Sequence, residues 1–548
     1  MSPAPLAALL RLLLLSSVCL GQLVAAVSGP QVQGPQIEGR MLWIDPVGYT
    51  PVMVRIHSAV PLELTVRATS RFSGASAKWD LPAGSHQRTL LLPPGMEEFW
   101  PVTLSWRSAS GLRGSSHLTA SGAGADIVFV GQLDMDQRDR LAQLIDRRYW
   151  GRGRSSARDR VLQFEAGDLP DRWQGFPPWM VVVIGEQMSE RLSAAQRQAL
   201  GDWVRAGGTL AVFGPSSTTA PDDAWSRAGI PVCRLSWSGA NHEGVRACNQ
   251  TAQTIRRHSA SDIEIPGVGE VPVGGFILLA LAFIVLIGPV NFWYLLWRRA
   301  ARHLLLVSIP VISLITCIAL VVFNLFSEGL HTRRTVDSYT WLDAPAHRAV
   351  RWTGISYYAP FGHSQVAVGL DTAVLPGDPG TFDDRRRHRY GHDGRSWRID
   401  WDGSQQLSGQ LVPTRRSARL HYVTVEAARE RLQLSAGARG YTLLNGLGTR
   451  IEQLHYVDPK GRHWACDAVE PGASIELVAL SREPRPLGGA ARLGPGAAAS
   501  WQRAANKPGF FQAVLASPLA DIPGPAGETV TSGRHLLAGP LVAIGGAS

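Results

Sequence analysis

Residues able to do chemistry are sparse in this 548-residue chain, and few stand at useful spacings. The cysteines are Cys19, Cys233, Cys248, Cys317 and Cys466. Cys19 falls in an apolar leader and Cys317 in a long apolar stretch. Cys233 and Cys248 would pair as a disulfide in an oxidising compartment if the fold brings them together, a distance that sequence does not fix. No C-x-x-C or Cys/His cluster has the spacing of a zinc site, so no metal and no other cofactor is expected. His388 and His392 stand four apart, as helical metal ligands do, but Gly391 and Gly394 disfavour a helix there. Ser216 and Ser217 follow an apolar run and could act as nucleophiles, yet no G-x-S-x-G elbow surrounds them. Asp134 and Glu186 also stand just past apolar runs, where open α/β sheets bind ligands. Asp134, Glu186, Ser216 and Ser217 are therefore the ligand-binding candidates, and no residue is assigned a catalytic role.

The elements that must position these residues begin with export and membrane segments. Residues 1–26 read as a secretory signal: Arg11 gives positive charge, Leu12 to Leu20 an apolar run, and Val24-Ala25-Ala26 small residues for cleavage. Left uncleaved, the segment would be an anchor and the remaining topology would be the same. Two uncharged apolar stretches follow much later, Gly274–Trp297 and Leu304–Phe326. Each exceeds the roughly 20 residues a helix needs to cross ~30 Å of hydrocarbon. The loop between them, 298–303, holds Arg298, Arg299, Arg302 and His303, and positive loops stay inside. These arginines determine the expected topology: an inner (plasma) membrane protein with two crossings and both large domains periplasmic or otherwise extracytoplasmic. Trp293, Tyr294 and Trp297 fall at the inner interface, where amphipathic rings are favoured. Asn291 and Asn324 could hydrogen-bond across the helix pair or to a partner helix, and Pro289 and Pro310 predict kinks. Two helices enclose no pathway, which argues against a transporter acting alone.

Three extramembrane segments remain. Residues 37–120 carry short, partly alternating apolar runs at Met41–Asp45, Pro51–Ile56, Leu62–Ala68, Arg88–Leu92 and Val102–Trp106, separated by Gly, Pro and Ser clusters. That rhythm predicts a β-sandwich. Residues 121–250 alternate strands with helices, which predicts an α/β layer with a parallel sheet. Its strands are expected at Asp126–Val130, Val161–Phe164, Trp179–Gly185 and Leu210–Phe213. Its clearest helix starts at Ser193, which forms a capping box with Gln196, and ends at Gly207-Gly208. A linker, 251–273, leads to the first span. Residues 327–548 are β-rich, with strands expected at Val366–Leu370, Arg398–Trp401, Ala418–Glu426, Arg431–Ala436, Tyr441–Asn445 and Ile475–Leu480. Asp458-Pro459-Lys460-Gly461 marks a hairpin turn.

Within the α/β segment, the run from Leu192 to Gly214 resembles the class I glutamine amidotransferase-like fold, which is flavodoxin-like in its layering. Activity in that family requires a nucleophilic cysteine on a tight turn after a strand. Here those turns read Gly185-Glu186-Gln187-Met188 and Gly214-Pro215-Ser216-Ser217, and neither holds one. Methionine and proline cannot replace a thiolate, so the resemblance implies a catalytically dead domain. Most of the chain also resembles a group of uncharacterised bacterial membrane proteins. The similarity is carried by Ile287–Arg299, Leu304–Pro310, Leu443–Trp464 and His535–Leu541, and it brings no catalytic residues.

Charge narrows the partners. The net charge is +10, and only three of the 54 basic residues are lysine. That bias fits codon usage plus a surface facing anionic lipid or envelope polymer. The loop Asp383–Arg395 is the segment expected to make such a contact, or to be merely solvated. No basic helix or aromatic-basic platform supports nucleic-acid binding. The expectation is a non-enzymatic cell-envelope scaffold that binds the membrane and protein partners. A membrane-anchored extracytoplasmic hydrolase with an unrecognised site, or an accessory subunit of a larger membrane complex, are the alternatives.

Overall fold

A computed structural model describes residues 35–44, 48–70, 73–94, 101–118, 127–144, 161–176, 181–213, 225, 230, 232–235, 265, 273–297, 305–327, 332–376, 397–412, 414–415, 417–437, 440–482, 487, 501–502, 504–505, 507–520, 528–531, 533–541 and 543–544. The chain is strand-rich, with several sheets, few helices and one apolar helix pair.

The first segment forms β1 (Gln36–Met41), β2 (Thr50–Ser58), β3 (Leu62–Thr69), β4 (Ser73–Leu81), β5 (Gly84–Leu92), β6 (Val102–Ser108) and β7 (Arg113–Leu118). In β3 the alternation is direct: Leu62, Leu64, Val66 and Ala68 are buried, while Glu63 and Arg67 are exposed. β4 and β7 had no strand signal in the sequence, because their residues are mostly small or polar and give little contrast between faces. The first strand, expected at Met41–Asp45, instead runs over Gln36–Met41 and shares only Met41 with that expectation. The strand ends at Met41, and Leu42, Trp43 and Ile44 are buried outside any strand.

The second segment forms β8 (Ile127–Val130), α1 (Met135–Leu144), β9 (Val161–Phe164), β10 (Val181–Gly185), α2 (Ala194–Arg205), β11 (Thr209–Phe213) and β12 (Cys233–Leu235). All pairings among these strands are parallel, in the order β12-β11-β10-β8-β9. The sheet is buried on both faces, which explains its unbroken apolar strands. Val128, Val130, Val182, Ile184, Leu210 and Val212 share a core with Leu200 and Trp203 of α2. Ile127, Phe129, Val181, Val183, Ala211 and Phe213 pack instead with Leu141 of α1. The two helices therefore cover opposite faces. Ser193 caps α2 as expected, accepting from Gln196 N while the Gln196 side chain accepts from Ser193 N.

The apolar pair consists of α3 (Val273–Val285), a π-helical turn at Leu286–Val290 that contains Pro289, α4 (Asn291–Trp297) and α5 (Leu305–Ser327). Two stretches here, Gly274–Tyr294 and Leu306–Phe323, are long and apolar enough to cross a membrane. Asn291 Nδ2 donates to Ser308 Oγ across the pair at 2.9 Å, one of the two uses expected for it. Phe323 lies against Gly275, where an added Cβ would stand 2.6 Å from its ring. α5 continues unbroken through Pro310. The side chain of Asn324 and the loop arginines Arg298, Arg299 and Arg302 lie outside the described residues.

The third segment contributes β13 (Thr332–Asp343), β14 (Arg348–Tyr358), β15 (His363–Val368), β16 (Thr372–Pro376), β17 (Trp397–Asp400), β18 (Gln405–Val412), β19 (Ser417–Ala427), β20 (Arg431–Ala436), β21 (Tyr441–Gly446), β22 (Ile451–Val457), β23 (His463–Cys466), β24 (Ser474–Glu476), β25 (Val478–Ala479), β26 (Phe510–Leu515), β27 (Glu528–Thr531), β28 (His535–Pro540) and β29 (Ala543–Ile544). Most join one large sheet, β16-β19-β14-β13-β28-β26-β22-β23-β25, with β27 beside β13. Two of its long strands, β13 and β14, gave no recognisable signal in the sequence. β13 is buried continuously from Thr335 to Thr340, polar residues included, so it shows neither alternation nor an apolar run. The strand expected at Ile475–Leu480 is split at Leu477 into β24 and β25. The loop Asp383–Arg395, with His388 and His392, lies outside the described residues.

The first segment's strands fall in two sheets, β1-β2-β5 and a second that does not stop with that segment. Its order is β15-β18-β17-β4-β3-β6-β7, and β17 pairs with β4 in parallel, placing Ile399 opposite Ala75. Strands from either side of the helix pair thus build one sheet. One core runs through Trp43, Leu64, Phe164, Trp203, Tyr357 and Trp401, taking in all three segments.

Candidate functional site

An open parallel sheet offers a ligand the crevice beyond its strand C-termini, where strand order reverses. Here that point lies between β8 and β10. Gly131, just past β8, has φ +137, and a Cβ there would sit 3.6 Å from Met188 Cγ. A Cβ on Gly185, at the end of β10, would sit 3.9 Å from the same atom. Met188 therefore lies over both strand ends. Asp134 is occupied as a helix cap: its Oδ1 accepts from Gln137 N at 2.7 Å, and Gln137 Oε1 accepts from Asp134 N at 3.2 Å. Asp134-x-x-Gln137 is a capping box, a helix-start signal that was readable in the sequence. Glu186 opens the short helical turn Glu186–Met188. Ser216, Ser217 and Cys248 lie outside the described residues. Cys233 is half-buried on the edge strand β12.

A buried serine–histidine contact was invisible to spacing. Ser338 on β13 and His535 on β28 are register partners, and Ser338 Oγ stands 2.8 Å from His535 Nδ1. Burial pushes the His535 imidazole below its ordinary value, with Asp337 pulling the other way. Asp337 Oδ1 accepts from Arg534 N at 2.8 Å. Ser338 and His535 are each under a tenth exposed, in the middle of the large sheet. A substrate would reach Ser338 only if the sheet opened, so the pair works as a cross-strand hydrogen bond.

A cavity of about 240 Å³ opens at one end of the same sheet, lined by Leu342, His347, Glu430, Arg431, Gln433 and Leu541 among others. His347 has φ +51, a conformation that costs a non-glycine residue about 1 kcal/mol or more. Glu430 is engaged by Arg351 at 3.0 Å and by the Arg429 amide at 3.0 Å. Among the described residues, no three His, Cys, Asp or Glu side chains converge to hold a metal ion.

Polar chemistry concentrates instead where the three segments meet. Asp168 accepts from Arg55 at 2.6 Å and pairs with Arg40 at 3.7 Å, joining the second segment to the first. Trp43 Nε1 donates to Gly175 O, and Gln174 Nε2 donates to Leu370 O in the third segment. Tyr49 is fully buried; its hydroxyl donates to Gln405 Oε1 at 3.1 Å and accepts from Val374 N at 3.0 Å. Burial pushes its phenol well above the ordinary range. Trp401 Nε1 donates to Leu91 O, and the Arg172 guanidinium stacks 4.7 Å from the Trp401 ring. Asp202 on α2 pairs with Arg205 at 3.3 Å and with Arg348 of β14 at 3.5 Å. Burial raises the Asp202 carboxyl more than Arg348 and Arg205 lower it. Apart from Arg205, which stands three residues after Asp202 on α2, none of these partners is near in sequence, so spacing carried no signal of them.

No family model and no curated protein matches the chain. Among solved structures, a Paenibacillus sp. cycloisomaltooligosaccharide glucanotransferase complexed with cycloisomaltoheptaose is 11% identical over 33% of this chain and 27% of its own, with a TM-score of 0.14. The chain thus spans well under two thirds of that enzyme's length, and a score this low carries no argument about fold or function.

Proposed function

We propose that the chain is a non-enzymatic membrane protein of the bacterial cell envelope, a scaffold that presents one rigid extracytoplasmic body to protein partners. The observation that carries this reading is the sheet shared across the helix pair. Open sheets do not thread a bilayer. Residues joined by β4 and β17 therefore share one side of any membrane that the pair crosses, as an even number of crossings requires. The arginines of the connecting loop favour the cytoplasm for that loop, hence the periplasm or cell exterior for the body.

The second segment fits a catalytically dead amidotransferase-like layer. Numbered within the segment, its strand order is 2-1-3-4-5, the flavodoxin-like order. Met188 covers the crevice where that layer would hold a ligand. The test is crosslinking of the full-length protein in its membrane, gentle solubilisation and mapping of the crosslinks by mass spectrometry. Reproducible crosslinks from body residues to another envelope protein support the scaffold; crosslinks confined to the helix pair favour an accessory subunit of a membrane complex. A solitary protein that turns over a glutamine, ester or glycan substrate, with turnover abolished by one substitution, ends the reading.

A membrane-anchored hydrolase is the second reading, and the Ser338–His535 contact is the observation in its favour. A fluorophosphonate probe separates the two. The scaffold reading expects no labelling at Ser338. Labelling that disappears in Ser338→Ala would favour the hydrolase.

A further inference from the structure

We propose that the edge of the large sheet nearest the helix pair is a bilayer-contact rim, with Phe361 entering the headgroup interface and Arg333, Arg334, Arg415 and Arg419 engaging anionic lipid headgroups. The inference rests on reading the helix pair as membrane-crossing. Chain connectivity places the rim. α5 ends at Ser327 and β13 begins at Thr332, so five Cα–Cα steps limit their separation to roughly 18 Å. The register then builds the edge outward from β13. Arg333 stands opposite Tyr358 and Arg334 opposite Tyr357 on β14. Tyr358 stands opposite Ser417, and Ser356 opposite Arg419, on β19. Ala359 bridges to Thr414, beside Arg415.

Phe361 lies just beyond this edge and is 73% exposed, the most exposed large apolar side chain among the described residues outside the helix pair. Its presentation is fixed. Gly362 has φ +64, and a Cβ there would sit 3.0 Å from both Thr414 Oγ1 and Val412 O. Facing it, Arg415 has φ +54 and donates its amide to Ala359 O at 2.8 Å. Two left-handed residues, one of them an arginine that pays for the conformation, hold an exposed phenylalanine at a turn.

The chemistry suits a bilayer surface. An aromatic ring and guanidinium groups are the side chains favoured at headgroup level. Arg415 is exposed and the other three arginines are half-buried. Glu528, in register with Thr332, is an acidic residue that backbone pairing places at this end. At the opposite end of the helix pair, Trp293 and Trp297 stack at 6.3 Å and 7° and are both exposed. The helix pair thus carries aromatic residues at its loop end, and the folded body supplies one at the other.

The test uses the unaltered full-length protein in nanodiscs containing phosphatidylglycerol with a photoactivatable diazirine at headgroup level, followed by peptide mapping. Label is expected on the helix pair and on the peptide containing Phe361. Label on the helix pair with none near Phe361 would overturn the rim while leaving the crossing intact. No label on either would overturn the crossing and the rim with it. In a protein carrying both Arg415→Gln and Arg419→Gln, labelling near Phe361 should fall severalfold while that of the helix pair stays constant. Equal labelling of the variant, or equal labelling by a zwitterionic phosphatidylcholine probe, would overturn the role given to anionic headgroups.

Discussion

Asp458 shows how one buried carboxylate can fix a turn. Its Oδ1 accepts from the amides of Lys460 and Arg462, each at 2.9 Å, and its Oδ2 accepts from Arg462 Nε at 2.7 Å and Trp464 Nε1 at 3.2 Å. Burial alone would raise this carboxyl, but the hydrogen bonds from Arg462, Trp464 and Lys460 outweigh it and hold the group below its ordinary value of 3.8. A depressed acid contributes stability that is complete above the unfolded value and is lost as the pH falls through the folded one. Asp458→Asn should therefore cost about 1–3 kcal/mol in urea unfolding at neutral pH. The gap from wild type should narrow only below the unfolded value of 3.8. A gap that is constant down to strong acid would refute the carboxylate's role. The Asp-Pro-Lys-Gly turn was legible because four consecutive residues encode it. Tyr49 and Asp202 were not, because their partners Gln405 and Arg348 lie far along the chain. The capping role of Asp134 was not read because a carboxylate beyond a strand looks the same whether it faces a ligand or caps the next helix.

At the scale of elements, a central strand is limited by how closely its neighbours approach. Gly539 of β28 packs so tightly against the end of β13 that an added Cβ would strike the Leu342 carbonyl. Its φ is not in the left-handed region, so space rather than conformation requires glycine. Gly539→Ala should destabilise the protein by about 1–3 kcal/mol, because backbone in the large sheet must move. Gly448→Ala, where nothing lies within 4 Å, should change little and serves as the comparison. Equal thermal midpoints for the two variants would refute the close-packing account. Elements with strong local signals, such as the capped helix α2 and the two apolar helices, were legible. β13 and β14 were not, since burial on both faces removes alternation and polar residues such as Asp337, Ser338 and Arg351 find their partners far away in sequence. Within the helix pair, Asn291→Leu removes the bond to Ser308 and should weaken the pair by about 0.6 kcal/mol, read as a lower denaturant midpoint in micelles.

For the whole molecule, the helix pair is inserted into a body that is already complete without it. β4 and β17 pair directly, Tyr49 reaches Gln405 and Val374, and Trp401 reaches Leu91, all across the insertion. None of these contacts uses a residue between Val273 and Ser327. Replacing 273–327 with a flexible Gly/Ser linker should therefore give a soluble protein with the β-rich circular dichroism of the parent and a single cooperative unfolding transition. Expressed separately, the portions before and after the insertion should each fail to fold, because each leaves half of a shared sheet and core exposed to water. Two independently soluble halves would mean that the shared sheet is a docking contact rather than part of the fold. Success of the linker protein together with failure of the halves would establish that the membrane segment only tethers. The rigid face that the body turns toward its partners would then be set by the junction at Tyr49, Asp168 and Trp401.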